Sequence, residues 1–136
     1  MNPGYSALAA PSLEALADLA QAALDQLPEP FRRLIGEVQM RLQDFADDEV
    51  LDDLGIEDPF ELSGLYQGAD LSRRSVLGTA AQPSMLFLYR RPILDEWCEH
   101  GDITLGELVT HVLVHEIGHH FGLSDADMEA IEQGRR

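Results

Sequence analysis

Hydrophobic positions recur every three or four residues near the amino terminus of the chain. Between residues 12 and 27 they fall on one stripe, while acidic and amide side chains occupy the opposite face. This spacing predicts an amphipathic α-helix that buries one face against a core. Pro28 follows the pattern and is expected to end the helix, because proline cannot donate the backbone hydrogen bond that a helix interior needs.

Three later segments have the patterns of β-strands. Ile35 to Asp44 alternates apolar and polar residues, which predicts a strand with one solvated face. Leu62 to Gly68, with the sequence LSGLYQG, is predicted to be a short strand in which glycines mark a bulge or a close backbone approach. Met85 to Tyr89 is continuously apolar, as expected for a strand covered on both faces.

Helix signals separate and follow these strands. Thr104 and Glu107 match the capping-box pattern that begins a helix, and the apolar residues after them predict a buried helix that runs through Ile117. Shorter helices are predicted at Asp47 to Leu54, at Pro92 to Glu99 with Gly101 closing it, and at Asp127 to Gln133.

Composition narrows the class of protein. The chain has 136 residues, of which 45% are hydrophobic and 25% charged, and this is typical of one globular domain spanning residues 1–136. Acids outnumber bases 25 to 9, and the formal charge of -16 argues against nucleic acid or an anionic membrane as a partner. All basic residues are arginines, so lysine chemistry is excluded.

Local composition adds expectations about compartment and surface. The first 20 residues lack the basic and apolar regions of a secretory signal, and no apolar run reaches the length of a membrane span. A single cysteine, Cys98, fits a reducing compartment and is expected to be a small buried hydrophobe. We therefore expect a cytoplasmic protein. The nine acids between residues 44 and 61 are expected to form solvated surface.

A candidate metal site lies near the end of the buried helix. His115, Glu116 and His119 form the pattern H-E-x-x-H, in which histidines four residues apart share one helical face, about 6 Å apart along the axis. Both imidazoles can therefore reach one metal ion. Burying such groups costs free energy unless they are paired or bind a metal, and zinc would relieve that cost. Two core histidines satisfied by the backbone are the alternative interpretation.

The residues after the motif extend the candidate site. Gly122 can end the helix in the left-handed conformation, which would allow Asp125 to approach the metal as a third ligand. Three protein ligands leave a position for water, and Glu116 could take a proton from that water as general base. Alternatively, Ser124 or Asp125 caps the last helix without binding metal.

The run His115 to Asp125 resembles the motif of the Asp-zincins, H-E-x-x-H-x-x-G-x-x-D. Together with LSGLYQG and SMLFLYRRPIL, it is similar to the bacterial minimal zincin-like metallopeptidase family of small acidic proteins, over roughly residues 12–132. The resemblance implies zinc as cofactor on His115, His119 and Asp125, with Glu116 catalytic and a peptide or protein as substrate. It also implies a small α+β fold, with a mixed sheet of about three to four strands packed against the N-terminal helix and the buried motif helix.

Several roles stay open from the sequence alone. His111, Tyr66 and Tyr89 are each candidates to stabilise an oxyanion, and His120 is expected to lie off the ligand face. Met128 is expected to pack in the core. The main functional alternative is a zinc-binding protein-interaction domain without catalytic turnover. A role on RNA is disfavoured by the net charge, and the oligomeric state is left undetermined.

Overall fold

A mixed three-stranded sheet backs the helices of this chain in a computed structural model that describes residues 8–68 and 84–134. Strand β1 spans Val38–Gln43, β2 spans Gly64–Gln67 and β3 spans Ser84–Tyr89. The strand order is β1-β3-β2, with β3 parallel to β1 and antiparallel to β2. Among the described strands, the short strand β2 is therefore at one edge of the sheet.

Six α-helices accompany the sheet in the described part of the chain. They are α1 (Leu13–Gln26), α2 (Glu29–Ile35), α3 (Asp48–Leu54), α4 (Arg90–His100), α5 (Leu105–His120) and α6 (Asp125–Glu132), with a 3-10 turn at Pro59–Glu61. The predicted α+β class and mixed sheet are confirmed. Predicted strand alternation is also seen in β1, where Gln39 and Arg41 are exposed and Val38, Met40 and Leu42 are partly buried.

Most boundaries differ from prediction by a few residues. Helix α4 begins at Arg90 rather than Pro92, because proline is tolerated within the first turn of a helix. Helix α6 begins at Asp125 rather than Asp127, because Ser124 caps it. Gly122 adopts positive φ after α5, as predicted, and Gly55 and Gly101 do so after α3 and α4.

One helix was absent from the sequence prediction. Residues Glu29–Ile35 form α2, so the predicted strand from Ile35 to Asp44 begins only at Val38. Phe31 and Ile35 lie four residues apart and are both buried, whereas Gly36, with φ of 65°, separates the helix from the strand. Ile35 thus belongs to a helical stripe, although it also fits the alternation that follows it.

The core lies between α5, α1 and the sheet. Helix α5 is buried along most of its length, and its exposed side chains include His111, His119 and His120. It packs against the buried face of α1, which carries Leu16 and Ala20. The main core comprises residues from α1, α2, the sheet, α4, α5 and α6, so the motif helix is anchored on several sides.

Surface expectations have mixed outcomes. All nine acidic residues between positions 44 and 61 are exposed, as expected. Cys98 is exposed, so its expected burial is wrong: it lies on the solvent side of α4, whose buried residues are Pro92 and Ile93. Among the described residues, no helix is long and apolar enough to cross a membrane. The segment from Ala69 to Pro83, which the sequence predicts to be a loop and which includes Arg73 and Arg74, lies outside the described residues.

Candidate active site

The start of the motif helix is fixed by a reciprocal cap. The Oγ1 atom of Thr104 accepts a hydrogen bond from the backbone N–H of Glu107 at 3.1 Å. The Oε1 atom of Glu107 accepts one from the N–H of Thr104 at 3.2 Å. This is the predicted capping box, which satisfies two backbone donors at the first turn. It helps to define the helix that carries all the histidines of the candidate site.

Three histidines form a stripe along α5. The ring centroids of His111 and His115 are 4.0 Å apart, and those of His115 and His119 are 5.7 Å apart. The spacing of four residues places them on successive turns of one face, as the H-E-x-x-H pattern predicts for the last two. His115 is partly buried, whereas His111 and His119 are exposed. The stripe therefore runs along the boundary between core and solvent.

Glu116 lies beside the histidine stripe and faces the sheet. A Cβ atom added to Gly64 of β2 would lie 3.3 Å from the Cγ atom of Glu116 and 3.1 Å from the carbonyl oxygen of Phe87. A glycine at this position thus allows the edge strand to approach the helix closely. Burial raises the pKa of Glu116, and the charge of His119 opposes that rise without cancelling it. The carboxyl group is poised to hold a proton more readily than an exposed glutamate.

The electrostatic surroundings of His115 include both predicted and unpredicted groups. Burial is the main cause that lowers the pKa of His115, and the nearby His111 and His119 lower it further. The carboxylates of Glu132 and Asp125 act in the opposite direction. The pKa of His115 is lowered overall, which favours the neutral imidazole that binds a metal.

Asp125 is the first residue of α6 and is exposed. The cap of this helix is Ser124, whose Oγ atom accepts a hydrogen bond from the N–H of Asp127 at 3.1 Å. The carboxylate of Asp127 in turn accepts one from the N–H of Ser124 at 3.3 Å. Of the two alternatives that the sequence left open for capping, the structure thus selects Ser124. The side chain of Asp125 is not used for the cap.

The structure adds Glu132, which the sequence analysis missed. Its Oε1 atom lies 2.6 Å from Nδ1 of His111 and 3.6 Å from Nε2 of His115. Among the described residues, these three side chains are the ones close enough together to share a metal ion. One ligand atom of each lies within 4.8 Å of the ligand atoms of the other two. A signal was present in the spacing: Glu132 follows the buried Met128 by four residues, so both share the inner face of α6.

The structure brings the predicted metal ligands His115, His119 and Asp125 only partly together. His115 and His119 share a helical face, and the charge of Asp125 acts on His115. Within the described ranges, however, the ligand atoms that meet the 4.8 Å spacing belong to His111, His115 and Glu132. The assignment of His115, His119 and Asp125 as metal ligands, with Glu116 catalytic, therefore stays a prediction.

The remaining candidates occupy different surroundings. His120 packs edge-on against Tyr66 with ring centroids 4.9 Å apart, on the side of α5 that faces β2. Tyr89 is 1% exposed, and burial, together with the charges of Asp47 and Glu116, raises its pKa to about 12. Met128 is fully buried, as expected for a packing residue.

Comparison with known proteins identifies a relationship over most of the chain. A family model described as zincin-like metallopeptidase matches residues 35–135. This range includes all three strands, the motif helix and α6. No curated protein matches the chain in a sequence search.

Proposed function

Since the chain belongs to the zincin-like metallopeptidase family, we propose that it is a zinc-dependent peptidase that hydrolyses a peptide bond. His115, His119 and Asp125 would hold the zinc ion, and Glu116 would act as general base. Two imidazoles and a carboxylate are a donor set that fits catalytic zinc, with a fourth position left for water. Bound zinc would supply Lewis acidity and lower the pKa of that water.

The position of Glu116 is the observation that carries this proposal. It is adjacent to His115 in sequence and lies between the motif helix and Gly64 of the edge strand. From there its carboxylate would accept a proton from the attacking water and deliver it to the leaving amine. Because burial raises the pKa of Glu116, the group is a stronger base than an exposed carboxylate would be.

The edge strand suggests how a peptide would bind. In the described part of the chain, β2 pairs with β3 on one side, and Gln67 at its end is exposed. An extended peptide could add to the other side by backbone hydrogen bonds, which recognise main chain rather than one side chain. A peptide or protein is thus the proposed partner, and the net charge of -16 disfavours nucleic acid and anionic membranes. We propose a cytoplasmic location because the chain has a single cysteine.

Digestion of a peptide library, combined with metal analysis, tests the proposal. Wild-type protein should cleave library members in a zinc-dependent manner, and Glu116→Gln should bind zinc equally well but lose about 100- to 10,000-fold in rate. Glu129→Gln is the matched control, because Glu129 is exposed on α6. Undiminished cleavage by Glu116→Gln would rule out the proposed general base.

The same measurement separates the two functional classes. A zinc-binding interaction domain would retain stoichiometric metal but cleave no library member in the wild-type form. Zinc-dependent cleavage that is lost in Glu116→Gln and retained in Glu129→Gln would support the peptidase. Wild-type protein that holds zinc on His115, His119 and Asp125 but cleaves no library member would instead support the interaction domain.

A further inference from the structure

Glu132 has an environment that the H-E-x-x-H motif does not explain. Its Oε1 atom is buried and makes no hydrogen bond to any described residue. Nδ1 of His111 is nevertheless only 2.6 Å away, so the two atoms are close without the alignment of a hydrogen bond. This approach is an ion pair only when His111 is protonated, so beside a neutral imidazole the buried carboxylate oxygen is costly in free energy. A coordinated cation is one arrangement that removes this cost.

The two distances from Glu132 to the histidines fit a transition-metal ion after a small adjustment. Zinc bonds of about 2.0–2.1 Å place two ligand atoms of a tetrahedral site about 3.3 Å apart. His115 Nε2 and Glu132 Oε1 are already 3.6 Å apart. The glutamate and His111 would need to separate by less than about 1 Å to meet the same spacing. Two imidazoles and one carboxylate are donors suited to zinc and the neighbouring divalent metals.

A cavity gives access to this cluster at His111 and Glu132. The cavity has a volume of about 660 Å³ and lies between α1 and α5, with His111 and Glu132 in its wall. Among the described residues, its lining does not include Glu116, His119 or Asp125. An ion could therefore enter and reach His111 and Glu132 without passing the predicted catalytic base.

We propose that His111, His115 and Glu132 form a second metal site, which competes with the predicted site of His115, His119 and Asp125. One imidazole nitrogen coordinates one ion, so use of His115 Nε2 by either site excludes the other. The competition rests on the proposed function, in which His115 is a zinc ligand. His111 and Glu116 are five residues apart, or about 140° around the helix, so an ion held by His111 would lie away from the base. The second site would keep the metal in an inactive position.

Metal titration of a variant that lacks His119 and Asp125, the two ligands used only by the predicted site, tests the second site. The double variant His119→Ala/Asp125→Asn keeps His111, His115 and Glu132, and both altered residues are exposed. This variant should bind one equivalent of zinc or cobalt(II) in calorimetry or chelator competition. Adding Glu132→Gln should weaken that binding at least about 100-fold. Removing a residue that only hydrogen-bonds to a metal ligand typically weakens binding by about 10- to 100-fold, so a larger loss indicates that Glu132 binds the metal directly. Adding Glu129→Gln should leave the affinity unchanged.

Two results would overturn the second site. One is a folded double variant that binds no metal, and the other is a Glu132→Gln change that alters its affinity less than threefold. Circular dichroism and thermal unfolding would establish that each variant is folded. A second measurement uses the same double variant: zinc added to its ¹⁵N-labelled form should shift the ring nitrogens of His111 in long-range spectra, because the competing site is absent. Unshifted His111 at saturating zinc in this variant would also contradict the proposal.

These outcomes are separable from those of the proposed function. The double variant lacks two predicted catalytic-site ligands and is not expected to cleave, so its metal affinity reports only on the second site. Conversely, cleavage by wild type and its loss in Glu116→Gln report only on the peptidase. In the wild-type background, Glu132→Gln should lower the zinc concentration needed for activity, if both proposals hold.

Discussion

Gly118 has no side chain, and the thioether of Met128 occupies the space that one would fill. A Cβ atom at Gly118 would lie 2.5 Å from Sδ and 2.8 Å from Cγ of Met128. Gly118 is inside the H-E-x-x-H motif, and Met128 is 0% exposed on the inner face of α6. This contact therefore docks α6, which carries Asp125 and Glu132, onto the back of the helix that carries the histidines.

Gly118→Ala should destabilise the fold, although alanine is the better helix former. The helical preference favours alanine by about 1 kcal/mol, but overpacking costs about 1–3 kcal/mol. In a Met128→Ala background the overpacking is removed, so the same glycine change should become stabilising. A double-mutant cycle measured by urea unfolding would give this change of sign.

Gly106→Ala is the control for this cycle, because Gly106 is in the same helix. Its added Cβ would lie 3.8 Å from Cδ2 of Leu19, which is ordinary van der Waals contact. The control should be neutral or stabilising by up to about 1 kcal/mol. Equal effects of Gly118→Ala in the presence and absence of the Met128 thioether would refute the packing argument.

Ser124 and Asp125 are neighbours at the start of α6, but we expect their substitution to affect different properties, stability for Ser124 and zinc binding for Asp125. Ser124 caps the helix, so Ser124→Ala should lower the free energy of unfolding by about 0.5–2 kcal/mol. Asp125→Asn leaves that cap intact and should change stability by less than about 0.5 kcal/mol, as is usual for surface positions. If Asp125 is a zinc ligand, its variant should nevertheless lose affinity for zinc at the predicted site.

The measurement for this pair is thermal unfolding of the metal-free protein together with zinc titration. Both are made in a Glu132→Gln background, which disables the second site proposed above. If adding Asp125→Asn leaves the zinc affinity of the Glu132→Gln protein unchanged, Asp125 is not a zinc ligand. A large loss of stability in Asp125→Asn would show that it has a structural role instead.

Much of the fold could be predicted because local rules and tertiary packing agree in most elements. The capping box at Thr104 and Glu107, the alternation in Val38–Gln43 and Gly55 after α3 each have a local physical cause. Helix α2 was missed because its two buried residues, Phe31 and Ile35, are too few to establish a period in seven residues. Its boundaries depend on packing against the core, which no local pattern contains.

The candidate site was predictable only where its residues share one helix. His115, Glu116 and His119 are related by helical geometry, which the sequence spacing determines. Glu132 comes from another helix, and its approach to His111 depends on how α6 packs through Met128. That packing includes the close approach of Met128 to Gly118, so the proximity of Glu132 to the histidines could not be calculated from spacing alone.

Gly64→Ala should affect both stability and catalysis. The added Cβ would press on the carbonyl oxygen of Phe87 at 3.1 Å and on Cγ of Glu116 at 3.3 Å. Because the backbone of β3 cannot yield easily, we expect a cost of about 1–3 kcal/mol and a displaced Glu116. Peptide turnover should fall while zinc content stays constant. Wild-type turnover in a folded Gly64→Ala protein would show that Glu116 does not depend on this close approach.

Tyr89 should make the protein sensitive to alkaline pH. Its ordinary pKa is 10.0, and burial with the nearby Asp47 and Glu116 carboxylates raises it to about 12 in the folded chain. Below the lower value both states keep the proton, and stability is unaffected by this group. Above it the unfolded chain releases its proton first, so stability falls as the pH rises from about 10 towards 12.

Tyr89→Phe removes the ionisable group and should flatten this alkaline decline, even if it changes stability at neutral pH. Urea unfolding at pH 8, 10 and 11 would measure the slope directly. Tyr66→Phe is the control, because Tyr66 is also buried on the sheet but packs against His120 rather than beside Asp47 and Glu116. If Tyr89→Phe declines as steeply as wild type, another group is responsible for the alkaline transition, because a phenylalanine at this position has no proton to release.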